Sequence, residues 1–291
     1  MTPAMLFVHA LTPLHAGTGQ GIGVIDLPIA RERATNLPYL PGSSLKGALR
    51  AACEDAASVR RLFGPDTQNA SEHAGALTVS DQSLLLFPVR SLVGTYALAT
   101  CPWVLRRFIR DARSIGLKDV PDMPAAHKDQ ASLAQGSALL WNQKIVLEDL
   151  DLKAAVDPAV SKWAEWLGQQ LYAGDADQAG ALKEHLAVLP DDTFDYLVEQ
   201  ATEVVARIKL KEDTKTVQNG GLWYEESLPA ESVLSGLVLA EKVKQGGQVA
   251  EPAAVLDEAK ALVQKVGTMQ LGGKATVGRG LCRLVWKAGA R

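Results

Sequence analysis

The two ends of the chain carry the same order of elements, an apolar strand, an amphipathic helix and a second strand. At the N-terminal end "AMLFVHAL" (4–11) predicts a buried strand, and residues 44–63 predict a helix with Leu45 and Leu49 on its apolar face. The remaining elements are strands at 76–81 and 231–241, a helix at 253–266 and a final strand. Because each helix must bury its apolar face on a sheet, this order predicts a split α+β sheet with long insertions.

Charge is distributed unevenly along the chain, although the net charge is only −3 at pH 7. Basic and acidic residues number four and two in residues 1–50, five and one in residues 101–118, and three and twelve in residues 148–200. A polyanion is therefore expected on the first two regions and away from the third. One amphipathic helix in the second region either lines a path for a polyanion or presents a solvated face, through Arg106, Arg107, Arg110 and Arg113.

Simple features argue against several classes of protein. No run of eighteen apolar residues predicts a transmembrane helix, and the N-terminus lacks the pattern of a signal peptide. Cys53, Cys101 and Cys282 form no CxxC pair, which argues against a zinc knuckle and against a disulfide framework. We therefore expect a cytoplasmic protein with reduced thiols and no membrane partner.

A glycine-rich stretch precedes a single acid near the N-terminus. In "LHAGTGQGIGVIDLPI" (14–29), glycine occupies every second position from Gly17 to Gly23, and Asp26 follows in an extended segment. A P-loop would need Lys-Ser/Thr after its last glycine, and a dinucleotide loop would open a helix, so neither fits. Glycine instead lets a ligand approach the backbone closely. Asp26 is either a solvent-facing acid on an edge strand or, with His15, part of one cavity.

The segment "PGSSLKGALR" (41–50) predicts the start of a helix, with Ser43 or Ser44 as its N-cap. We expect Lys46 in the first turn, where a cation opposes the helix dipole. A phosphate bound at the helix N-terminus would remove that conflict. The alternative is a solvated lysine, which costs about 0.3 kcal/mol at such a position.

A second glycine-rich loop lies near the C-terminus. "LGGKATVGRG" (271–280) combines four glycines with Lys274 and Arg279 and also lacks the P-loop pattern. Two glycine-rich loops that are not nucleotide-cofactor loops, one of them basic, fit a protein that grips a polymer backbone. The alternative is a pair of ordinary turns.

Two aromatic residues follow a strong turn signal in the second half of the chain. Asn219-Gly220-Gly221 predicts a turn, and "LWYEESLP" comes directly after it. Trp223 and Tyr224 at a hairpin tip would be placed to wedge between bases. The alternative is that both side chains lie in the core.

Taken together, five segments resemble the RAMP superfamily of CRISPR proteins, and within it the backbone subunits of type III-B (Cmr) RNA-guided effector complexes. The segments occur in the family's order and span nearly the whole chain, with residues 14–50 the most specific part. The acidic region 148–200 has no counterpart in this resemblance. The segments are "LHAGTGQGIGVIDLPIARERATNLPYLPGSSLKGALR", "RLFGPD", "GALTVSDQSLLLFPVRS", "LWYEESLP" and "GGKATVGRGL".

The resemblance implies a single RAMP domain over residues 1–291, with an α+β, RRM-like (ferredoxin-like) palm. Residues 1–110 and 231–291 would form the palm core. Residues 111–204 would form a variable helical finger insert, and residues 205–230 a β-hairpin thumb.

The resemblance also implies a function. Subunits of this family stack head-to-tail on a guide RNA and build a filament. The chain is expected to coat guide (CRISPR) RNA with copies of itself, to contact other Cmr subunits and to cut bound target RNA in antiviral defence. Cutting is expected to be metal-dependent, with Mg²⁺ or Mn²⁺ as the cation. The alternative is a non-catalytic scaffold that grips RNA in the same kind of complex.

Individual positions receive roles from the same resemblance. Asp26 matches an acid needed for cutting, which would hold the metal or orient the attacking 2′-hydroxyl. His15 and Glu225 are the other expected catalytic residues, and Asp81 and Glu226 match positions near the cut. The expected RNA-binding residues are Gly17, Thr18, Gly19, Ser43, Lys46, Arg50, Trp223, Tyr224, Gly272, Gly273, Lys274 and Arg279.

Overall fold

The structure is a computed structural model that describes residues 1–19, 21, 23–65, 73–125, 127–245 and 248–289. Its strands are β1 (Thr2–Ala10), β2 (Tyr39–Leu40), β3 (Leu77–Val79), β4 (Gln82–Arg90), β5 (Tyr96–Thr100), β6 (Gln130–Leu133), β7 (Lys144–Leu147), β8 (Leu150–Val156), β9 (Leu186–Val188), β10 (Glu203–Leu210), β11 (Val217–Ser227), β12 (Val233–Ala240), β13 (Val243–Gln245), β14 (Gln248–Ala250), β15 (Thr268–Gln270) and β16 (Leu281–Ala288). Its helices are α1 (Gly42–Ala52), α2 (Ala56–Phe63), α3 (Pro102–Ser114), α4 (Pro158–Leu171), α5 (Ala176–His185), α6 (Asp191–Gln200) and α7 (Pro252–Val266), with a 3₁₀ turn at Ala275–Val277.

Four antiparallel strands form the centre of the main sheet, in the order β16–β1–β12–β4. With α1 after β1 and α7 before β16, this is the strand arrangement of a ferredoxin-like fold. α7 packs on β1, β12 and β16, and α1 packs on β3 beside it. The predicted ferredoxin-like palm is confirmed, and it is built from the strand–helix–strand units at both ends of the chain.

Strand β1 is apolar on both faces because both faces are covered. Its residues from Ala4 to Val8 are all buried, as expected for a central strand between two helical layers. α7 contacts the strand, and the ring of Phe108 in α3 lies 5.9 Å from that of Phe7. This packing fixes the C-terminal end of β1, from which the chain runs to His15.

The other half of the main sheet curls back on itself. Its strand order is β4–β5–β9–β6–β8–β7, and Ser91, directly after β4, bridges Leu147 in β7. The segment 111–204, predicted as a helical insert, thus carries strands β6 to β9 as well as α4, α5 and α6. The domain boundaries derived from the sequence stay a prediction.

Strands β10 and β11 form a separate antiparallel hairpin, at the position of the predicted thumb. The predicted turn at Asn219-Gly220-Gly221 is wrong, because these residues lie inside β11 and the chain reverses between Leu210 and Val217. The register of the ladder shifts between Ile208 and Leu210. The glycines lie opposite this shift, and Gly220, with a φ of +71°, adopts the irregular backbone conformation found there.

The N-terminus of α1 differs from its prediction. Neither Ser43 nor Ser44 caps the helix, which begins at Gly42, and the backbone N–H of Gly42 donates to Asp81 Oδ1 at 2.8 Å. A Cβ on Gly42 would lie 2.3 Å from the carbonyl oxygen of Val79. The helix start is therefore pressed against β3, and an acid after that strand replaces the serine cap. Asp81, matched to a position near the cut, has this structural role.

The helix predicted over 44–63 is two helices, because the chain leaves helical geometry at Cys53. Asp55 then caps α2 by accepting a hydrogen bond of 2.8 Å from the Ser58 N–H. A local cap of this kind restarts a helix after a break.

The arginines of α3 do not form one uniform solvated face. Arg107 is half-buried and donates twice to the carboxylate of Glu32, at 2.6 and 2.8 Å, whereas Arg106 and Arg110 are exposed.

Within the described residues, none of the helices has the length and apolar character needed to cross a membrane.

Candidate functional site

The segment that carries Asp26 lies across the base of the hairpin. Leu27 pairs with Glu225 of β11, and Gly17 pairs with Ile29 where the glycine-rich stretch turns back on itself. The two ends of the glycine-rich loop are therefore paired with each other, and the segment that follows Asp26 is paired with the hairpin.

Asp26 is exposed and opens onto a cleft of about 450 Å³. Its Oδ2 accepts a hydrogen bond of 2.8 Å from the backbone N–H of Tyr224, and the described residues offer Oδ1 no partner. One carboxylate oxygen thus fixes the side chain, and the other is available to a ligand. The other residues that line the cleft are Gly21, Leu27, Gly220, Leu222, Trp223 and Lys274.

Glu225 lies beside this cleft and is buried. Its Oε1 accepts hydrogen bonds of 2.7 Å from both Lys274 Nζ and Trp223 Nε1, and its Oε2 accepts one of 3.3 Å from Arg207 Nε. Burial alone would raise the pKa of Glu225, but the hydrogen bonds from Lys274 and Trp223, with the Lys274 charge, lower it to about 2. An ionised carboxylate with three donors is suited to positioning its neighbours rather than to giving up a proton.

Glu226 faces the opposite side of β11 and is also buried. Its Oε1 accepts hydrogen bonds from Arg31 Nη2 at 2.6 Å and from Thr202 Oγ1 at 3.0 Å, and its Oε2 accepts one from the Ile29 N–H at 3.1 Å. Arg31 and Ile29 both lie just beyond Asp26 in the chain. Glu226 therefore fastens the Asp26 segment to the hairpin.

His15 joins the two glycine-rich loops. Its Nδ1 lies 2.6 Å from the carbonyl oxygen of Glu226, so this nitrogen is assigned the proton, and Nε2 is the acceptor in the neutral ring. A Cβ on Gly17 would lie 2.6 Å from Nε2, and one on Gly272 would lie 2.3 Å from the His15 carbonyl. The Gly273 N–H donates to the same carbonyl at 2.9 Å. Glycine is required here because the loops and the ring are in close contact.

The predicted aromatic residues lie in the middle of the hairpin ladder, where Ala206 pairs with Tyr224 and Arg207 with Trp223, and not at the tip. Trp223 is half-buried and hydrogen-bonded to Glu225, and Tyr224 is 39% exposed. Arg279 in the C-terminal loop donates to Glu203 Oε2 of β10 at 2.7 Å. The hairpin base is thus tied to the C-terminal loop by ion pairs.

The first glycine-rich loop leaves Thr18 and Gly19 exposed. The Thr18 N–H donates to the carbonyl of Pro28 at 3.3 Å. Gly19 has a φ of +95° and open space where a Cβ would lie, which is a backbone conformation that glycine adopts without strain. The loop surface therefore presents backbone, as predicted for close approach of a ligand.

Ser43, Lys46 and Arg50 lie on α1, apart from the cleft. Lys46 lies at the end of β12 that is far from the hairpin. Its Nζ donates to the carbonyl of Leu77 at 2.7 Å, and Leu77 pairs with the last residue of β12. The hairpin precedes the first residue of β12, and a strand of this length separates its two ends by about 25 Å. Burial, with the charge of Arg50, lowers the pKa of Lys46. The predicted RNA-binding residues therefore fall into two groups.

The side chains around Asp26 do not by themselves supply enough ligands for a divalent metal ion. In the described part of the chain, no three His, Cys, Asp or Glu side chains are placed to bind a metal ion. Glu225 and Glu226 are already engaged, so Asp26 contributes one free carboxylate oxygen. Mg²⁺ requires octahedral oxygen ligation, so these residues do not complete a site without RNA oxygens and water. The metal role of Asp26 and the catalytic roles of His15 and Glu225 stay predictions.

Several residues that build the site were not expected from the sequence. Arg31, Thr202 and Arg207 contact Glu225 or Glu226, and Glu203 contacts Arg279. Their partners lie far away in the chain, so spacing gave no indication.

Three comparisons relate this chain to known proteins. The RAMP superfamily model matches residues 7–283. The CRISPR system Cmr endoribonuclease Cmr4 of Pyrococcus furiosus is 34% identical and covers 99% of this chain and 96% of its own length. The crystal structure of oligomeric Cmr4 from Pyrococcus furiosus has a TM-score of 0.77 at 27% identity, with 100% of both chains covered. The cryo-EM structure of type III-B Cmr-beta bound to cognate target RNA has a TM-score of 0.75 at 22% identity, covers 98% of this chain and 97% of that chain, and supports the fold alone.

The extent of these matches identifies the family. The matched range contains the end of β1, the palm strands β4 and β12, the hairpin and both glycine-rich loops. The relative from Pyrococcus furiosus is matched over nearly the full length of both proteins. The chain therefore belongs to the RAMP superfamily.

Proposed function

We propose that this chain is an RNA-binding backbone subunit of a type III-B (Cmr) CRISPR effector complex, which cuts target RNA paired to the guide. Head-to-tail copies of the chain would coat the guide RNA in the cytoplasm, together with other subunits. A full-length relative is named a Cmr endoribonuclease, and one matched structure is an oligomer of Cmr4. These similarities support the assembly, and the geometry of the cleft supports the chemistry.

The observation that carries the proposal is the cleft between the Asp26 segment and β11 of the hairpin. It places a carboxylate with one free oxygen beside the ammonium of Lys274. The glycine-rich loop next to it presents exposed backbone at Thr18 and Gly19. An RNA strand lying on this loop would bring its phosphates to the cleft.

RNA is cut without an external nucleophile when a 2′-hydroxyl attacks the adjacent phosphate. The attack needs alignment of the reacting atoms and removal of the hydroxyl proton. Asp26 would orient the hydroxyl and accept its proton, because the Tyr224 N–H fixes one carboxylate oxygen and leaves the other available. A hairpin that displaces one nucleotide would supply the alignment.

Dependence on Mg²⁺ or Mn²⁺ is part of the proposal. A divalent cation bound mainly by RNA oxygens would polarise a phosphoryl oxygen. Asp26 has one free oxygen, so it would either contact this cation or accept the hydroxyl proton. Removing divalent cations with a chelator is then expected to stop cutting in the assembled complex. Cutting that continues unchanged in the chelator would contradict this part of the proposal.

The experiment that tests the function is a cleavage assay of the reconstituted complex with guide and target RNA. Asp26→Asn keeps the side-chain shape and removes the charge, and we expect loss of about 10²–10⁴-fold in cleavage rate with target binding retained. Asp149→Asn is the matched control, since Asp149 is an exposed acid between β7 and β8. Equal cleavage by the wild type and Asp26→Asn would remove Asp26 from the mechanism.

A non-catalytic scaffold is the second candidate function. It is favoured by the engagement of both Glu225 and Glu226 in structural contacts, which leaves one free acid in the cleft. A wild-type complex that binds target RNA with Mg²⁺ or Mn²⁺ present and leaves it intact would establish this alternative.

A further inference from the structure

Lys274 has surroundings that differ from those of an ordinary phosphate-binding lysine. Among the described residues that line the Asp26 cleft, it is the only cation. Its Nζ lies 2.7 Å from Glu225 Oε1, so the ammonium is held at one point of the cleft wall. An ammonium has three donors, and this ion pair uses one of them.

The backbone at Lys274 is bent to reach that position. Its φ is +66°, in the left-handed region that non-glycine residues seldom adopt and that costs of order 1 kcal/mol. The preceding Gly272 and Gly273 are pressed against the carbonyl of His15. The loop therefore holds a strained lysine in place, and such strain clusters at functional sites.

The neighbouring groups are poorly placed to donate a proton in the cleft. Glu225 is ionised, because its pKa is lowered to about 2 by the contacts described above. His15 Nδ1 lies 2.6 Å from the carbonyl oxygen of Glu226, and the residue is outside the described set that lines the cleft. Arg279, the other cation of the same loop, is engaged by Glu203. Among the described residues that line the cleft, Lys274 is thus the side chain that can donate a proton into it.

RNA transesterification has two requirements besides a base. Negative charge that builds up on the phosphoryl oxygens must be stabilised, and the departing 5′-oxygen must receive a proton. We propose that Lys274 is a catalytic residue that meets both requirements, as the general acid of RNA cleavage. This inference rests on the proposed function and deepens it.

The proposed step balances in atoms and charge. The 2′-oxygen forms a bond to phosphorus, and its proton passes to the Asp26 carboxylate. The bond from phosphorus to the 5′-oxygen breaks, and that oxygen takes a proton from the Lys274 ammonium. The products are a 2′,3′-cyclic phosphate and a 5′-hydroxyl, and solvent then restores both side chains.

A target RNA with sulfur in place of the 5′-bridging oxygen at the cut tests this role. A thiolate leaves without a proton, so the general acid becomes dispensable for that substrate. In the reconstituted complex, Lys274→Met should slow cleavage of the oxygen substrate by about 10²–10⁴-fold and cleavage of the sulfur substrate by less than about tenfold. Binding of target RNA is measured alongside, since a phosphate contact alone would change affinity.

Two variants keep the test decisive. Arg279→Met removes a positive charge from the same loop, outside the residues that line the cleft, and should affect both substrates equally. Lys274→Arg keeps the charge but gives up a proton less readily, so it should retain binding and still favour the sulfur substrate.

Three outcomes would overturn the inference. Equal slowing of both substrates by Lys274→Met and Lys274→Arg would make the residue a binding group only, and wild-type rates would remove it from the reaction. A wild-type complex that cuts neither substrate would overturn the proposed function itself. Cleavage by the wild type therefore separates the failure of the function from failure of the Lys274 role.

Discussion

The molecule holds its cations in two different ways, at the cleft and on α1. Around the cleft, each of Arg31, Lys274 and Arg279 is paired with a glutamate. On α1, Lys46 donates to the carbonyl of Leu77, and Arg50 donates to backbone carbonyl oxygens after α2. The first group is neutralised by carboxylates, whereas no carboxylate contact is found for the second among the described residues.

This difference suits the two groups of cations to two different roles. A cation paired with a carboxylate is fixed in position and adds little to the long-range field, which suits it to building a reaction site. A cation held by carbonyl oxygens keeps its full charge, which attracts a polyanion and releases counterions when it binds. We therefore propose that α1 contributes most of the binding of the RNA backbone and that the cleft carries the chemistry.

The largest expected effect is on the cleft side, at Glu226. Glu226→Ala leaves Arg31 without its buried partner and the Ile29 N–H without its acceptor. Removing one partner of a buried pair costs about 3–5 kcal/mol, so the free energy of unfolding in urea should fall by that amount. Glu165→Ala, which breaks an exposed pair with Lys183, should cost at most about 1 kcal/mol. Equal losses in both variants would show that the Glu226 cluster does not anchor the Asp26 segment.

The next effect concerns the dependence of stability on pH at Glu225. Its pKa falls from 4.5 to about 2 in the folded protein, so its ionised form stabilises the fold by about 3 kcal/mol above pH 4.5. That contribution is lost as the pH falls from about 4.5 to about 2. Unfolding of the wild type and Glu225→Gln should therefore differ at pH 6 and converge near pH 2. A difference that stays constant over this range would show that the ion pairs of Glu225 contribute no stability.

The smallest expected effect is on the α1 side. Lys46→Ala should weaken guide RNA binding several-fold whatever the sequence, and should reduce the salt slope of binding by about 0.7 for one phosphate contact. Lys153→Ala, an exposed lysine in the acidic region, serves as the control and should leave both quantities unchanged. A salt slope that is the same for Lys46→Ala and the wild type would mean that Lys46 does not contact a phosphate.

The sequence predicted the parts of the molecule that local pattern determines. Apolar strands and one-faced helices at both ends of the chain sufficed for the split α+β sheet, because periodicity decides which face is buried. The ferredoxin-like palm itself was predicted from the family resemblance. The glycine-rich loops were evident from the sequence itself, whereas the role of Asp26 was predicted from its similarity to a family, because spacing alone left Asp26 undecided.

The remaining features depend on contacts between distant positions. Lys274 and Glu225 are 49 positions apart, and Arg31 and Glu226 are 195 apart, so local pattern could not indicate these pairs. The serine cap of α1 failed for the same reason, since Asp81 reaches Gly42 from 39 positions away. The turn at Asn219-Gly220 failed because glycine signals a β-bulge as readily as a turn.

The most direct test of the division between binding and chemistry is single-turnover cleavage in the reconstituted complex at saturating target RNA. Under that condition, Lys46→Ala should cut at the wild-type rate, because a binding defect is overcome by concentration, whereas Asp26→Asn should stay slower by about 10²–10⁴-fold. Recovery of Asp26→Asn at saturation, or a persistent loss in Lys46→Ala, would contradict the assignment of chemistry to the cleft and binding to α1.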